Sequence, residues 1–546
     1  MTRKLFTNLC AGISLSLLIA CCNQTGEMKP YNDGINIIPT PQSLTVNNGS
    51  FKLNSGTGIS ATTPETKTVA EYFAVKMRRS TGYDIPVGEN GNIKLNINSS
   101  LEMNDEGYKL DVTTKKVNVE AKTAQGLFYG LQSFMQLLPA EIESKTEVNN
   151  ISWTAKAVSI TDKPRFEYRG LMVDPCRHFM TVDEIKKQLD VMALFKMNRM
   201  HWHLTEDQGW RIEIKKYPKL TEIGSKRKGT IKERGSKELD NIPVSGYYTQ
   251  EEAKEIVRYA AERYITVIPE IDMPGHMLAA LASYPELGCT GGPYEIAPNF
   301  GVFREVLCGG NEKTLQFAKD VINEIMDIFP SPYIHIGGDE CPKFYWKTCA
   351  KCQRKIRELG LKDTKGHTKE NQLQAWFMGE VEKEIQKRGR EMMAWNEILK
   401  GNPAKSTIVM AWTKPEARLK SIEGGYRTIA CPIQYLYFSN AKFNELRGLS
   451  SIDRVYSFEP VPEEATPEQK KNIMGAQACI WTEWTKDSVK MEWQMMPRIA
   501  ALAEIQWSKP ENKNIQDFME RLKHQLDIYK VYGYNYKEDI HEAWDK

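Results

Sequence analysis

The sequence predicts an α/β protein, a (β/α)8 TIM barrel preceded by a small α+β domain, and three observations carry that prediction. Eight short apolar runs, with helical segments between several of them, fall within residues 161–510. Residues 35–160 instead mix alternating strands with two amphipathic helices and show no sustained alternation. A doubly wound open sheet would want a Gly-rich phosphate turn after an early strand, and none is present. At 546 residues the chain is too long for one core, so two or three domains are expected.

The first residues read as an address. Arg3 and Lys4 precede an apolar stretch, Ala11 to Ala20, that is too short to span a bilayer. Leu18-Ile19-Ala20-Cys21 resembles the bacterial lipoprotein cleavage box, which makes residues 1–20 a signal peptide and Cys21 the lipidated residue. Residues 21–34 are polar, as a tether should be. The expected location is therefore the bacterial cell envelope, as a membrane-anchored lipoprotein of the periplasm or outer membrane of a Gram-negative cell. Ordinary secretion with Cys21 free is the alternative.

In the small domain, strands are expected at Ile93–Ile97, Tyr108–Val112 and Val117–Ala121, with helices near Thr68–Arg79 and Ala124–Leu138. The eight barrel runs are Tyr168–Val173, Met197–Leu204, Ile265–Ile271, Tyr333–Ile336, Glu391–Trp395, Thr407–Trp412, Tyr426–Cys431 and Met474–Trp481. Thr181 with Glu184, and Thr249 with Glu252, are capping boxes that open helices. Further helices are expected near Lys313–Phe329, Gln372–Arg388 and Met491–Trp507, and residues 511–546 read as a helical tail.

Composition excludes some partners. A formal charge of +3 without a basic stripe or arginine-rich arm argues against nucleic acid. The 12 Trp suit a ligand with apolar faces, although many Trp only pack cores. Of 11 Cys, Cys349 and Cys352 form a CxxC with Cys341 nearby. No fourth ligand stands at matching spacing, so a local disulfide or plain buried thiols is the reading, and no metal or other cofactor is expected. Cys289 and Cys308 flank a Gly-rich loop and are a further candidate pair.

In a barrel of this type the chemistry sits at the C-terminal ends of the strands. The first strand ends in Asp174, followed by Arg177-His178-Phe179. The second ends in His201-Trp202-His203, followed by Glu206, Asp207, Trp210 and Arg211. The third gives Glu270, Asp272 and His276, and the fourth His335, Asp339 and Glu340. Later ends give Trp395, Asn396 and Glu397, then Trp412, then Trp481 and Glu483. Acids, His, Arg and Trp at so many strand ends suit a carbohydrate pocket, in which carboxylates and Arg take hydroxyls and indoles face ring C–H groups. Gly337-Gly338-Asp339-Glu340 is the sharpest signal. Two glycines allow an abrupt turn that presents consecutive carboxylates in different directions, where burial and a like-charged neighbour raise a carboxyl pKa.

Taken in order, Arg169-Gly170…Asp174…Arg177-His178-Phe179, Asn198…His201-Trp202-His203-Leu204, Asp207…Arg211, Pro269-Glu270-Ile271-Asp272-Met273-Pro274-Gly275-His276, His335…Glu340 and Trp481-Thr482-Glu483 resemble glycoside hydrolase family 20, the β-N-acetylhexosaminidases, over nearly the whole mature chain. The resemblance implies exo-acting, retaining, substrate-assisted hydrolysis of terminal β-linked GlcNAc or GalNAc. It implies that Glu340 is the acid/base and that Asp339 orients the acetamide. Tyr437 would donate to the acetamide oxygen, with Tyr435 the other candidate for that position. Arg169 and Glu483 would bind sugar hydroxyls, Trp395, Trp412 and Trp481 would form the walls, and Asp207, His276 and His335 would be supports. Ser439 stands where the family often has an Asp that holds outer hydroxyls. A disaccharide-releasing member and a non-catalytic glycan-binding lipoprotein are the alternatives. His201 and His203 also resemble the metal pair of barrel amidohydrolases, but Trp395 and Trp412 stand where further ligands would be needed.

Overall fold

The structure, a computed structural model, describes residues 35–439 and 451–537; the signal segment, the tether with Cys21 and the end of the tail lie outside these residues. The small domain is a seven-stranded sheet in the order β1-β7-β5-β6-β4-β2-β3: β1 (Ser43–Lys52), β2 (Ile59–Ser60), β3 (Val87–Gly88), β4 (Ile93–Ile97), β5 (Tyr108–Val112), β6 (Val117–Ala121) and β7 (Thr154–Asp162). Alternation decides which side chains of β5 face in: Tyr108, Leu110 and Val112 are buried while Lys109 and Asp111 are exposed. Helices α1 (Pro64–Thr81) and α2 (Ala124–Met135) pack on the sheet through residues such as Phe73, Met77, Leu127 and Leu131.

Eight parallel strands then close into a barrel: Tyr168–Val173, Arg199–His203, Thr266–Glu270, Tyr333–His335, Glu391–Trp395, Ile408–Ala411, Thr428–Ala430 and Ile473–Ile480. The first strand pairs with the last, from Tyr168 opposite Gly475 to Val173 opposite Ile480, which closes the ring. These strands are buried on both faces, so they read as continuous apolar runs rather than alternating ones. Thr181 and Thr249 each cap their helix reciprocally with the glutamate three residues on, as their spacing predicts. The expected single helix over Met491–Trp507 is two, Ser488–Met495 and Arg498–Trp507. Pro497 is the reason: it lacks an N–H, and it pushes Met496 into extended backbone with ψ 134°.

The small domain packs against the barrel through a buried polar seam near the N-terminal ends of the strands. Asp162, at the end of β7, accepts from Trp507 Nε1 (3.0 Å) and Tyr108 Oη (2.7 Å), with Lys196 Nζ 3.6 Å away. Thr40 donates to Glu504, which also pairs with Arg521 of the C-terminal helix, Ile515–Tyr532. That helix also packs on the small domain at Ala140–Glu143.

Arg169 belongs to this seam, which corrects its expected place among the hydroxyl-binding residues. It is the second residue of the first barrel strand, hence at the end opposite the strand-end loops. Its guanidinium pairs with Glu106 of the small domain at 2.6 Å, donates to Phe166 O and Lys196 O, and lies 5.0 Å from the Trp507 ring. Arg169→Ala should therefore cost about 3–5 kcal/mol of stability, because Glu106 loses the partner of its partly buried charge. Denaturant unfolding beside substrate kinetics checks this; unchanged stability with a raised KM would return Arg169 to the site.

Candidate active site

At the C-terminal mouth of the barrel lies a cavity of about 450 Å³ whose lining includes Arg177, His276, Asp339, Glu340, Trp412, Tyr437, Trp481 and Glu483. Its most distinctive backbone is the turn that leaves the fourth strand. Gly337, Gly338 and Glu340 all have positive φ (66°, 98° and 39°). At Gly337 a Cβ would lie 1.6 Å from Asp272 Oδ1, so only glycine fits. The Gly338 N–H donates to that same Asp272 oxygen (3.1 Å), which pins the turn. A glutamate held at positive φ is strained, and strain of this kind persists only where the surroundings impose it.

The turn sends the two carboxylates to different environments. The Asp339 side chain is 12% exposed and that of Glu340 39%. Burial, and then the negative charge of Glu340, push the Asp339 carboxyl up to about 6, against the opposing pull of His276. Asp339 Oδ1 is buried with no hydrogen-bond partner among the described residues. A buried, unsatisfied carboxylate oxygen beside a cavity is an acceptor awaiting a donor.

Beneath the pair runs a chain of alternating charge. His276 Nδ1 lies 2.7 Å from Glu206 and 3.0 Å from Asp207, and its Nε2 faces Glu340 at 3.6 Å and Asp339 at 3.8 Å. Burial alone would lower the His276 pKa, but Glu206 and Asp207 carry it well above the ordinary value. Glu206 also meets Arg177 (2.9 Å) and His203 (3.1 Å). His203 passes the chain to Glu270 (2.5 Å), which is reached by His201 and His335 at 2.9 Å each and accepts from Trp395 Nε1 at 2.7 Å. Burial would raise Glu270, yet the imidazoles around it hold it well below the carboxylate range. His201 is driven down to about 4 by burial, while His203, despite burial, is raised to about 10 by Glu270 and Glu206. The His201–His203 pair is thus tied up in carboxylate contacts.

Five aromatic side chains line the cavity, Phe300, Trp412, Tyr437, Trp481 and Trp484; Trp412 stacks on Tyr437 (5.9 Å between centroids, 14°), and Tyr437 meets Trp481 at 6.0 Å. Trp412 Nε1 is held by Glu397 (2.9 Å), whose carboxyl is pushed up to about 8 by burial and the charge of Asp339. Tyr435 packs on Phe458 and is not among the lining residues, so the structure brings Tyr437 to the pocket. Ser439 lines the cavity and accepts from the Trp481 N–H (2.8 Å).

Trp395 is corrected from a wall to a floor residue. It is 1% exposed, absent from the lining, and packs 6.0 Å below Trp481 while bonded to Glu270. His335 and Asp207 are likewise buried beneath the cavity, as supports, while His276 reaches it. Arg177, part of the Arg177-His178-Phe179 motif with no individual role expected of it, is a site residue. It lines the cavity, braced by Asp174 (3.1 Å) and Glu206 (2.9 Å), and lies close enough to Glu483 to feel its charge. The signal was available, since Arg177 follows the C-terminal end of its strand whereas Arg169 lies near the N-terminal end. Arg177→Ala should raise KM and lower kcat/KM by about 10²-fold or more, as loss of a charged hydrogen bond would. Steady-state kinetics checks it, and an unchanged KM would remove Arg177 from the substrate.

Comparison with known proteins agrees with this architecture. Residues 166–510 match the glycosyl hydrolase family 20 catalytic domain, and residues 34–163 match domain 2 of the same family. A β-hexosaminidase of Porphyromonas gingivalis is 41% identical over 550 aligned residues, covering 98% of this chain and 68% of that one. Among solved structures, the family 20 β-N-acetylhexosaminidase of Streptomyces coelicolor A3(2) superposes with a TM-score of 0.81 at 30% identity, covering 94% of this chain and 99% of that one. The exo-β-N-acetylglucosaminidase of Vibrio harveyi, solved with N-acetylglucosamine, gives a TM-score of 0.82 at 29% identity and covers 94% and 80%. The barrel, the strand-end acids and these matches agree: the chain belongs to glycosyl hydrolase family 20 and is a glycoside hydrolase of the β-hexosaminidase type.

Proposed function

We propose that the chain is an exo-acting, retaining β-N-acetylhexosaminidase that removes terminal β-linked GlcNAc or GalNAc with the substrate's own acetamide as nucleophile. The observation that carries this reading is the unsatisfied, buried Asp339 Oδ1 beside an aromatic-walled cavity. An acetamide N–H is a donor of the right kind for it, and the acetamide methyl suits the faces of Trp412, Tyr437 and Trp481. With its N–H held, the carbonyl oxygen is turned toward the anomeric carbon, and Tyr437 steadies that oxygen.

The bonds balance without an enzyme nucleophile. The carbonyl oxygen attacks C1, the C1–O bond to the aglycone breaks, and Glu340 gives its proton to the leaving oxygen. An oxazolinium ion results, its positive charge opposed by Asp339. Glu340 then takes a proton from water, which attacks C1 from the face the aglycone left as the C1–O bond to the acetamide breaks and the acetamide is restored, so the β configuration is kept. The exposed position of Glu340 suits contact with an aglycone and then water. Arg177 and Glu483, both on the lining, supply the charged groups for ring hydroxyls. Terminal specificity follows if they cap the non-reducing end.

Assays on aryl β-N-acetylglucosaminide and β-N-acetylgalactosaminide, with product anomers followed by NMR, test this. Turnover with the β anomer appearing first is expected. Inactivity of the folded protein on both aryl substrates, with cleavage only of disaccharide aglycones, would replace the single-sugar reading.

The lipoprotein assignment belongs with this proposal. Cys21→Ser should move the protein from the membrane fraction to the soluble envelope fraction and abolish metabolic labelling with palmitate. Unchanged membrane association would overturn the anchor.

A further inference from the structure

Four cysteines from two separate loops meet beside the pocket. Cys289 and Cys308 lie between the third barrel strand and the helix Glu312–Ile328; Cys349 and Cys352 open the helix Ala350–Glu358 after the fourth strand. Sulfur–sulfur separations are 3.6 Å for Cys308–Cys352, 3.7 Å for Cys308–Cys349 and 3.9 Å for Cys289–Cys352, and all four sulfurs lie within 4.8 Å of one another. Disulfide sulfurs would stand about 2.05 Å apart in two close pairs. Four thiolates around a zinc ion, with bonds of about 2.3 Å, form a tetrahedron whose edges are about 3.8 Å. The observed separations follow the second pattern, and all four cysteines are free.

The surroundings fit a closed metal site. Trp346, Val306, Ile356 and Leu373 pack around the sulfurs and keep the cluster largely dry. The Cys308-Gly309-Gly310 turn presses backbone to backbone on the start of the second helix. A Cβ on Gly310 would lie 2.3 Å from Lys351 O and 2.5 Å from Cys352 Cα, so the approach requires glycine. Cys349 is the N-cap of its helix, and Cys308 sits three residues before Asn311, the N-cap of the other. The two ligands missing from the vicinity of the CxxC stand upstream, Cys308 41 residues before Cys349 and Cys289 63 residues before Cys352.

We propose that Cys289, Cys308, Cys349 and Cys352 hold one structural zinc ion that fastens the Asn299–Val302 wall of the pocket to the loop bearing Asp339 and Glu340. On binding, the four thiols release their protons to solvent and four thiolates ligate the ion, with no change of oxidation state. Four protein ligands leave no open position, so the ion is structural and takes no part in hydrolysis. Asn299, Phe300, Gly301 and Val302 lie on the span between Cys289 and Cys308 and line the cavity, so the tether holds one wall in register with the catalytic turn.

The test is elemental analysis of the full mature chain, purified without chelator from its own compartment, beside intact mass after alkylation under denaturing conditions. About one zinc per chain is expected, with all four cysteines alkylated once the metal is released. Cys308→Ser and Cys352→Ser should each lower zinc content at least tenfold, whereas Cys341→Ala, outside the set of four, should keep it. Replacing zinc by cobalt(II) should give the intense visible bands of a tetrahedral thiolate site, a readout independent of activity and of whether the variants fold. Wild-type protein with two disulfides, or with four alkylatable thiols that take up neither zinc nor cobalt, would overturn the proposal.

Discussion

Glu340→Gln is expected to lower kcat/KM on substrates with poor leaving groups by about 10²–10⁴-fold, the range spanned by loss of a positioned general acid–base group. The loss should shrink on dinitrophenyl glycosides, which depart without protonation. Added azide should then restore turnover and yield a β-glycosyl azide, since an anionic nucleophile needs no base. The side chain that carries this prediction is 39% exposed, and its backbone sits at φ 39° on a turn pinned by Asp272. A uniform loss across all leaving groups, without azide rescue, would mean that Glu340 holds the turn rather than moves a proton.

Asp339→Asn is expected to cost about 10²–10³-fold in kcat, comparable to removal of one preorganised electrostatic group. Its effects on pH dependence are more specific. The Asp339 carboxyl is raised from 3.8 to about 6 by burial and then by Glu340, and only its ionised form opposes the charge of the oxazolinium ion. Activity should therefore fall as pH drops through about 6, giving the acidic limb of kcat/KM. Stability runs the other way. The folded state binds this proton more tightly than the unfolded chain, so the contribution of Asp339 to stability decreases as pH rises from about 4 to about 6 and stays low above that. Asp339→Asn, which removes the ionisation, should consequently melt higher than the parent at pH 7.5 while being nearly inactive. A lower melting temperature at that pH would show that the buried carboxylate is better satisfied than its surroundings indicate.

Much of this site was legible because barrel chemistry gathers at strand ends, and strand ends are visible as apolar runs that stop at charged residues. Asp339, Glu340, His276 and Glu483 stand just beyond such runs, Trp412 and Trp481 end theirs, and all six line the cavity. Residues within the runs were harder to assign. Arg169 and Trp395 look alike in sequence, a polar-tipped or aromatic side chain in a strand, yet one faces the small domain and the other supports the floor. Position along the strand separates them in part, since Arg169 is second in its strand and Trp395 last in its own, but only the contacts with Glu270 and Trp481 put Trp395 beneath the cavity. Glu206, which joins Arg177, His203 and His276, and Glu270, which joins three imidazoles, read as two more strand-end acids until their partners converge.

The break at Pro497 and the four-cysteine cluster show two different limits. Pro497 is a local signal inside the expected helix Met491–Trp507, and a proline there removes a hydrogen bond that a continuous helix requires. The cysteine cluster is nonlocal. Spacing rules for metal sites look for two nearby pairs, whereas here one pair is a CxxC and the other two ligands stand 19 residues apart on a loop that only the barrel brings alongside.

The central claim is that the nucleophile belongs to the substrate. The most direct measurement is kcat/KM for a series of aryl glycosides in which the 2-acetamido group is replaced by its mono-, di- and trifluoro analogues. Each fluorine weakens the carbonyl oxygen as a nucleophile with little change in size, so a steep, monotonic decline in rate is predicted. A rate independent of fluorination would assign the attack to a group of the protein and contradict the account.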